Sequence, residues 1–217
     1  MTHSAIPSAH PRLEISRLGH RFGRRVLFRR MDHVFEGGVT TAITGSNGTG
    51  KSTLVRILAG LTRPTKGDVK LLLGEREVDA ERRPLRCGMV APYLNVYDGF
   101  SPRENLQFLA SARGLDRAHE RIGYALDLVQ LADRADDLVG TFSSGMLQRV
   151  RLACAILSEP PVLLLDEPTA TLDTRGIDIV RGIVEEAVAR DAVVIVATNE
   201  PDEAAACMQQ LDVEDFQ

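Results

Sequence analysis

Alternation of apolar and polar positions from Leu13 to Leu18 predicts a first β-strand. Val34-Phe35, a Gly37-Gly38 turn and Val39 to Thr44 read as a hairpin feeding a second strand run. A glycine-rich stretch follows. Then a helix is predicted from about Lys51 to Leu61, with Leu54, Val55, Leu58 and Leu61 on one face. Gly60 to Gly67 is a loop and Val69 to Leu73 another strand.

After Met89-Val90 the period becomes helical. Ser101 is placed to cap a helix opened by Pro102 and closed by Gly114. Asp116 to Leu131 reads as a second helix, with Ile122, Leu126 and Val129 spaced for one face, and Gly145 to Leu157 as a third. Strand character returns at Val162 to Leu165. A helix at about Arg175 to Arg190, a strand at Val193 to Ala197 and a helix after Pro201 complete the pattern. A β-α segment, a helical middle and a β-α return predict an α/β fold. Its core sheet is expected to be mixed but mainly parallel, with an N-terminal antiparallel β part and an inserted helical subdomain. The boundaries read as a flexible tail over residues 1–11, a core over 12–87 and 158–217, and the helical insertion over 88–157, all in one domain.

Composition narrows this only a little. Of 217 residues, 44% are hydrophobic and 26% charged, ordinary values for a globular chain. The net charge of −4 gives no support to a nucleic-acid binder, and none is expected as a partner. No apolar run approaches the roughly 18 residues that a membrane-spanning helix needs. Met1 to Pro11 lacks the apolar core of a signal peptide. Cys87, Cys154 and Cys207 are widely spaced and odd in number, which points to a reducing compartment and small core residues.

The chemistry begins at Gly45-Ser46-Asn47-Gly48-Thr49-Gly50-Lys51-Ser52, which fits G-x-x-x-x-G-K-[ST] without a mismatch. Glycines let backbone N–H groups turn around phosphate oxygens, and the following helix points its positive end at the same anion. Lys51 is expected to reach the β- and γ-phosphates, and the Ser52 hydroxyl to ligate Mg²⁺. Thr53 completes the nucleotide-binding stretch. Val162-Leu163-Leu164-Leu165-Asp166-Glu167 is a buried strand ending in two acids. Asp166 is placed to hold Mg²⁺, and Glu167, one residue on and so on the other side, to orient or deprotonate the attacking water. An ordinary solvated carboxylate is the alternative for Glu167.

Further motifs stand in order around these two. Phe142-Ser143-Ser144-Gly145-Met146-Leu147-Gln148-Arg149 resembles the LSGGQ-x-Q-R signature of ABC ATPases. Pro168-Thr169-Ala170-Thr171-Leu172-Asp173 resembles that family's D-loop, and Phe22 sits where the family places an aromatic that stacks on adenine. A core phenylalanine is the alternative for Phe22. From about Leu13 to Met208 the chain resembles the ATP-binding subunit of an ABC transporter, similar to small bacterial exporter ATPases of the haem-exporter type.

The resemblance implies an ATPase working with ATP and Mg²⁺. It implies a head-to-tail dimer, homomeric or heteromeric, in which Ser143, Ser144 and Gly145 of one subunit contact the γ-phosphate held by the other. Asp173 would communicate between the two sites. A transmembrane permease would contact the helical subdomain around Tyr93 to Phe100, placing the protein at the cytoplasmic face of the inner membrane.

Two positions depart from the family pattern. Pro92 stands where a glutamine normally helps hold Mg²⁺, and Asn199 stands where a switch histidine follows the last core strand. An amide can donate to the γ-phosphate but carries no charge, and charge-assisted hydrogen bonds are roughly twice as strong as neutral ones. Slower hydrolysis is therefore expected, with Glu167, Lys51 and Asn199 as the catalytic set. Other readings are an almost inactive partner in a heterodimer, a non-transport ABC switch and a small-molecule kinase.

Overall fold

The computed structural model describes residues 10–217; most of the expected tail, residues 1–9, lies outside the described residues. The expected tail also included Pro11, which instead begins β1 (Pro11–Phe22). This strand pairs antiparallel with β2 (Arg25–Glu36) and β4 (Lys66–Leu73), and β5 (Arg76–Val78) adds to β4. The resulting four-stranded sheet has the order β2-β1-β4-β5.

The second sheet is the core. It contains β6 (Cys87–Val90), β7 (Val162–Asp166), β8 (Val193–Ala197), β3 (Thr40–Thr44) and β9 (Gln209–Asp212), in that order. All its pairings among the described residues are parallel, and the expected N-terminal antiparallel part forms the other sheet. Strands β7 and β8 are buried at every position, as continuous apolar runs in the middle of a parallel sheet should be.

The hairpin expected across Gly37-Gly38 does not form. Strand β2 pairs with β1, while β3 enters the other sheet beside β8. Gly37 makes the passage between sheets possible: a Cβ there would lie 2.5 Å from the Asp191 carbonyl oxygen. Arg29-Arg30 and Asp32 interrupt the apolar alternation of the run Arg25 to Glu36, so only its end, Val34-Phe35, reads as strand in the sequence.

Helix α1 (Lys51–Leu58) stops three residues earlier than predicted, turning out at Gly60 with φ 81°. Leu61 is consequently 51% exposed, and Ile57 takes the buried place. Helix α2 (Pro102–Arg113) carries a complete capping box: the Ser101 hydroxyl accepts from the Glu104 N–H, and the Glu104 carboxylate accepts from the Ser101 N–H. Helix α3 (Ala118–Leu128) is shorter than the predicted Asp116 to Leu131, because Arg117 at φ 47° and Gln130 at φ 55° bound it and a helix cannot extend through a left-handed residue. Helices α4 (Ser144–Ile156), α5 (Thr174–Ala189) and α6 (Pro201–Ala206) lie close to expectation.

The helical segment was expected from residue 88, but residues 88–90 pair with β7, so the chain leaves the core sheet after Val90. Buried residues form two clusters. One joins α2, α3, α4 and α5 to one face of the core sheet, with Leu106, Leu126, Val150, Leu163 and Val194 among them. The other joins α1 and the antiparallel sheet to the opposite face, with Leu13, Phe28, Leu54, Leu164 and Ile195. Period-2 alternation along β7 and β8 divides their side chains between the two. The cysteines are free thiols; burial pushes Cys87 and Cys154 up to about 12 and raises Cys207 as well.

Candidate functional site

The C-terminal ends of β3, β7 and β8 meet where the phosphate loop begins, and each delivers one part of the site. Strand β3 leads into Gly45, whose φ of 130° suits glycine alone; a Cβ there would meet Thr49 Oγ1 at 2.9 Å. Thr49 is buried and donates from Oγ1 to the Ser46 carbonyl at 2.9 Å, closing the loop on itself. Gly50, at φ 116°, caps α1 without a side-chain hydrogen bond. The first N–H groups of α1 are thus left free to meet an anion. Ser46, Asn47 and Gly48 are exposed along the loop, and Thr53 is half-buried in the first turn.

Lys51 is only 6% exposed. Its Nζ donates to the Gly45 carbonyl at 2.7 Å, the Ser46 carbonyl at 3.3 Å and Asn199 Oδ1 at 2.6 Å. All three acceptors are neutral, so none of them cancels the ammonium charge.

Asp166 ends β7 and is 1% exposed. Its Oδ1 accepts from Ser52 Oγ at 3.1 Å, while Oδ2 is buried with no hydrogen-bond partner among the described residues. Burial pushes this carboxyl above the usual range, against the opposing pull of Ser52 and Lys51. A buried carboxylate with a spare oxygen beside a serine hydroxyl suits a small hard cation, so these two residues fit Mg²⁺.

Glu167 leaves the strand at once. Its φ is 49°, and its N–H donates to the Ala197 carbonyl at 2.8 Å. The left-handed turn replaces the simple alternation expected past Asp166 and brings the two carboxylates to one site. Burial raises the Glu167 carboxyl; Lys51 and Asn199 oppose this.

Asn199, just beyond β8, binds three groups in its surroundings. Besides accepting from Lys51, its Nδ2 donates to Glu167 Oε1 at 2.6 Å and to Asn47 Oδ1 at 2.9 Å. The amide donor expected to face a phosphate thus faces a carboxylate and a second amide here.

A family model described as ABC transporter matches residues 28–170. The chain belongs to the ABC transporter ATP-binding family. It is 31% identical over 193 residues to the cytochrome c biogenesis ATP-binding export protein CcmA of Haemophilus influenzae, covering 87% of this chain and 89% of that one. The Nod factor export ATP-binding protein I of Burkholderia lata is 31% identical over 195 residues, or 89% of this chain; the chain spans 64% of that protein's length. A solved ATP-binding subunit of an ABC transporter superposes with a TM-score of 0.83 at 26% identity, covering 92% of this chain and 85% of that one. This ABC subunit therefore binds and hydrolyses ATP.

The remaining predicted residues of this ABC subunit lie apart from the loop. Ser143 is the exposed N-cap of α4 and accepts from the Met146 N–H at 3.3 Å; Ser144 is exposed beside it. Gly145 lies against the D-loop, where a Cβ would meet the Thr171 carbonyl at 3.3 Å. Among the described residues, no hydrogen bond joins Ser143, Ser144 or Gly145 to the phosphate loop. Asp173 caps α5 by accepting from the Gly176 N–H at 2.8 Å, and lies 3.7 Å from Arg149. Gln148, buried on α4, donates to the Pro168 carbonyl at 2.9 Å, tying the signature helix to the segment after Glu167.

Phe22 is 56% exposed at the end of β1, edge-on to His20 at 4.9 Å, so it is not a core residue. Pro92 is exposed in the turn after Ala91.

Two residues in this region carried no sequence signal. Arg25 turns back from β2 and donates to the Gly48 carbonyl at 2.9 Å. Glu214, beyond β9, accepts from the Ser46 N–H at 2.7 Å. Neither belongs to a motif, and the second contact spans 168 positions of sequence.

Proposed function

We propose that this subunit hydrolyses Mg²⁺·ATP at the phosphate loop, with Lys51 and the N–H groups of α1 holding the phosphates. Ser52 and Asp166 would hold Mg²⁺, which, when bound, neutralises charge developing on the phosphate oxygens. Glu167 orients a water and accepts its proton as the water oxygen attacks the γ-phosphorus. The bond from that phosphorus to the β–γ bridging oxygen breaks, and ADP leaves as inorganic phosphate forms. Phe22 offers a flat apolar surface for the base. The single observation that carries this reading is the Asn199 amide, which hydrogen-bonds Lys51 and Glu167 at 2.6 Å each and so ties the phosphate-binding cation to the base.

Hydrolysis is slower than in a member with a switch histidine, because a neutral amide replaces a group able to carry charge, and Pro92 provides no side-chain ligand. Two subunits close head to tail on ATP, each presenting Ser143, Ser144 and Gly145 to the nucleotide of the other, with Asp173 at the junction. The geometry supporting this is exposed: Ser143 and Ser144 open α4 toward solvent, where the positive helix end is free to meet an anion.

The helical lobe, residues 88–157 apart from the strand β6 at its edge, docks a transmembrane permease through Tyr93 to Phe100. Tyr93, Tyr97 and Phe100 are 44%, 55% and 39% exposed, and Tyr97 stacks edge-on against exposed Phe108 at 5.3 Å. An apolar patch of this kind suits a protein partner. The subunit would then lie on the cytoplasmic face of the membrane as a peripheral component; no described helix is long and apolar enough to cross it.

Steady-state hydrolysis by the purified chain and by Glu167→Gln, with ATP binding measured in parallel, tests this reading. Slow turnover by the wild type, lost in a variant that still binds ATP, supports it. Binding without turnover in both would make the chain a subunit that depends on a complete partner.

A further inference from the structure

The peptide between Gly45 and Ser46 is held from both sides. Its carbonyl oxygen accepts from Lys51 Nζ at 2.7 Å, and its N–H donates to the Glu214 carboxylate at 2.7 Å. A trans peptide places these groups at opposite edges of one plane. A cation therefore grips one edge and an anion the other, fixing the plane's rotation at the start of the phosphate loop.

Glu214 is exposed, yet its backbone is firmly placed. Asp212 pairs with Thr44 as β9 runs alongside β3. Asp212 Oδ1 accepts from the Glu214 N–H at 2.8 Å, and Val213 between them is fully buried. The hydrogen bond from Ser46 keeps the Glu214 carboxyl below the usual range, with Lys51 contributing. The loop thus carries an ionised carboxylate at a corner whose other contacts serve a polyphosphate.

We propose that Glu214 is a positioning residue for nucleotide: its hydrogen bond sets the Gly45–Ser46 corner, and its charge holds down the affinity for polyphosphates. The two effects oppose each other. The tether orders the loop for binding and catalysis, while the negative charge repels an incoming anion and favours release. The proposal rests on ATP occupying this loop, and deepens that reading.

Glu214→Gln and Glu214→Ala separate the two effects. The glutamine keeps an oxygen acceptor for Ser46 and removes the charge; the alanine removes both. ATP and ADP affinities are measured by titration calorimetry at low and high salt, beside kcat, KM and thermal stability. Glu214→Gln is expected to bind ATP about threefold or more tightly at low salt, with a smaller gain for ADP, and the difference should close as salt screens the charge. The kcat of Glu214→Ala should fall as the loop loses its tether, and that of Glu214→Gln, which keeps an acceptor for Ser46, should fall less. The proposal is overturned if the glutamine variant binds ATP no better than wild type, or if the gain is unchanged by salt. It is equally overturned if both variants lose affinity and stability together, since Glu214 would then serve only the fold. A folded wild type that binds no ATP would overturn the ATP reading itself, and Lys51→Ala supplies the reference for that outcome.

Discussion

Asn199 makes the most specific predictions at the scale of single residues. It accepts from Lys51 and donates to Glu167 and Asn47. Asn199→Ala breaks all three contacts and leaves the two charged groups without their link. Its kcat is expected to fall roughly tenfold, with a smaller change in ATP binding. Asn199→His restores a group that can be charged, and turnover is expected to rise several-fold in the same assay. Glu167→Gln should lower kcat by about 100-fold or more while ATP affinity is kept, as removal of a general base does.

The phosphate loop was readable in the chain because its chemistry is local. Glycine, lysine and serine recur there at spacings that only a tight loop before a helix demands. The partnership of Asn199 with Asn47 was not readable, since these residues are 152 positions apart and meet only when β8 pairs with β3.

At the scale of elements, the cap of α2 shows how closely local sequence can dictate structure. Ser101, Pro102 and Glu104 satisfy the helix start reciprocally, and Gly114 at φ 62° ends it. Ser101→Ala is expected to destabilise the protein by about 1 kcal/mol, read as a lower midpoint in urea with the slope unchanged. The hairpin expected at Gly37-Gly38 failed for the opposite reason. Two glycines flanked by strands fit a hairpin turn, but Thr40 to Thr44 is buried at four of its five positions and belongs in a parallel sheet. Which sheet a strand joins depends on partners far away in the chain, and the turn alone could not reveal it.

At the scale of the whole molecule, titration of buried His20 and half-buried His33 should limit stability toward acid. Burial lowers His33 and His20, and the Nε2 atom of each is buried without a hydrogen-bond partner among the described residues. The folded state therefore prefers both imidazoles neutral. The stability this preserves is present above the ordinary histidine value, near 6.5, and is lost as pH falls below it, because the unfolded chain takes up protons first. Urea midpoints are expected to decline between pH 7.5 and 5.5, and His33→Phe should flatten part of that decline.

The sequence contains no tryptophan, and Phe22 stands more than half exposed at the end of β1. Phe22→Trp would therefore give the protein one indole, solvated before ATP arrives and, under the proposed stacking on the base, covered by a purine afterwards. Its fluorescence would turn nucleotide arrival into an optical signal, separable in time from the chemistry that follows.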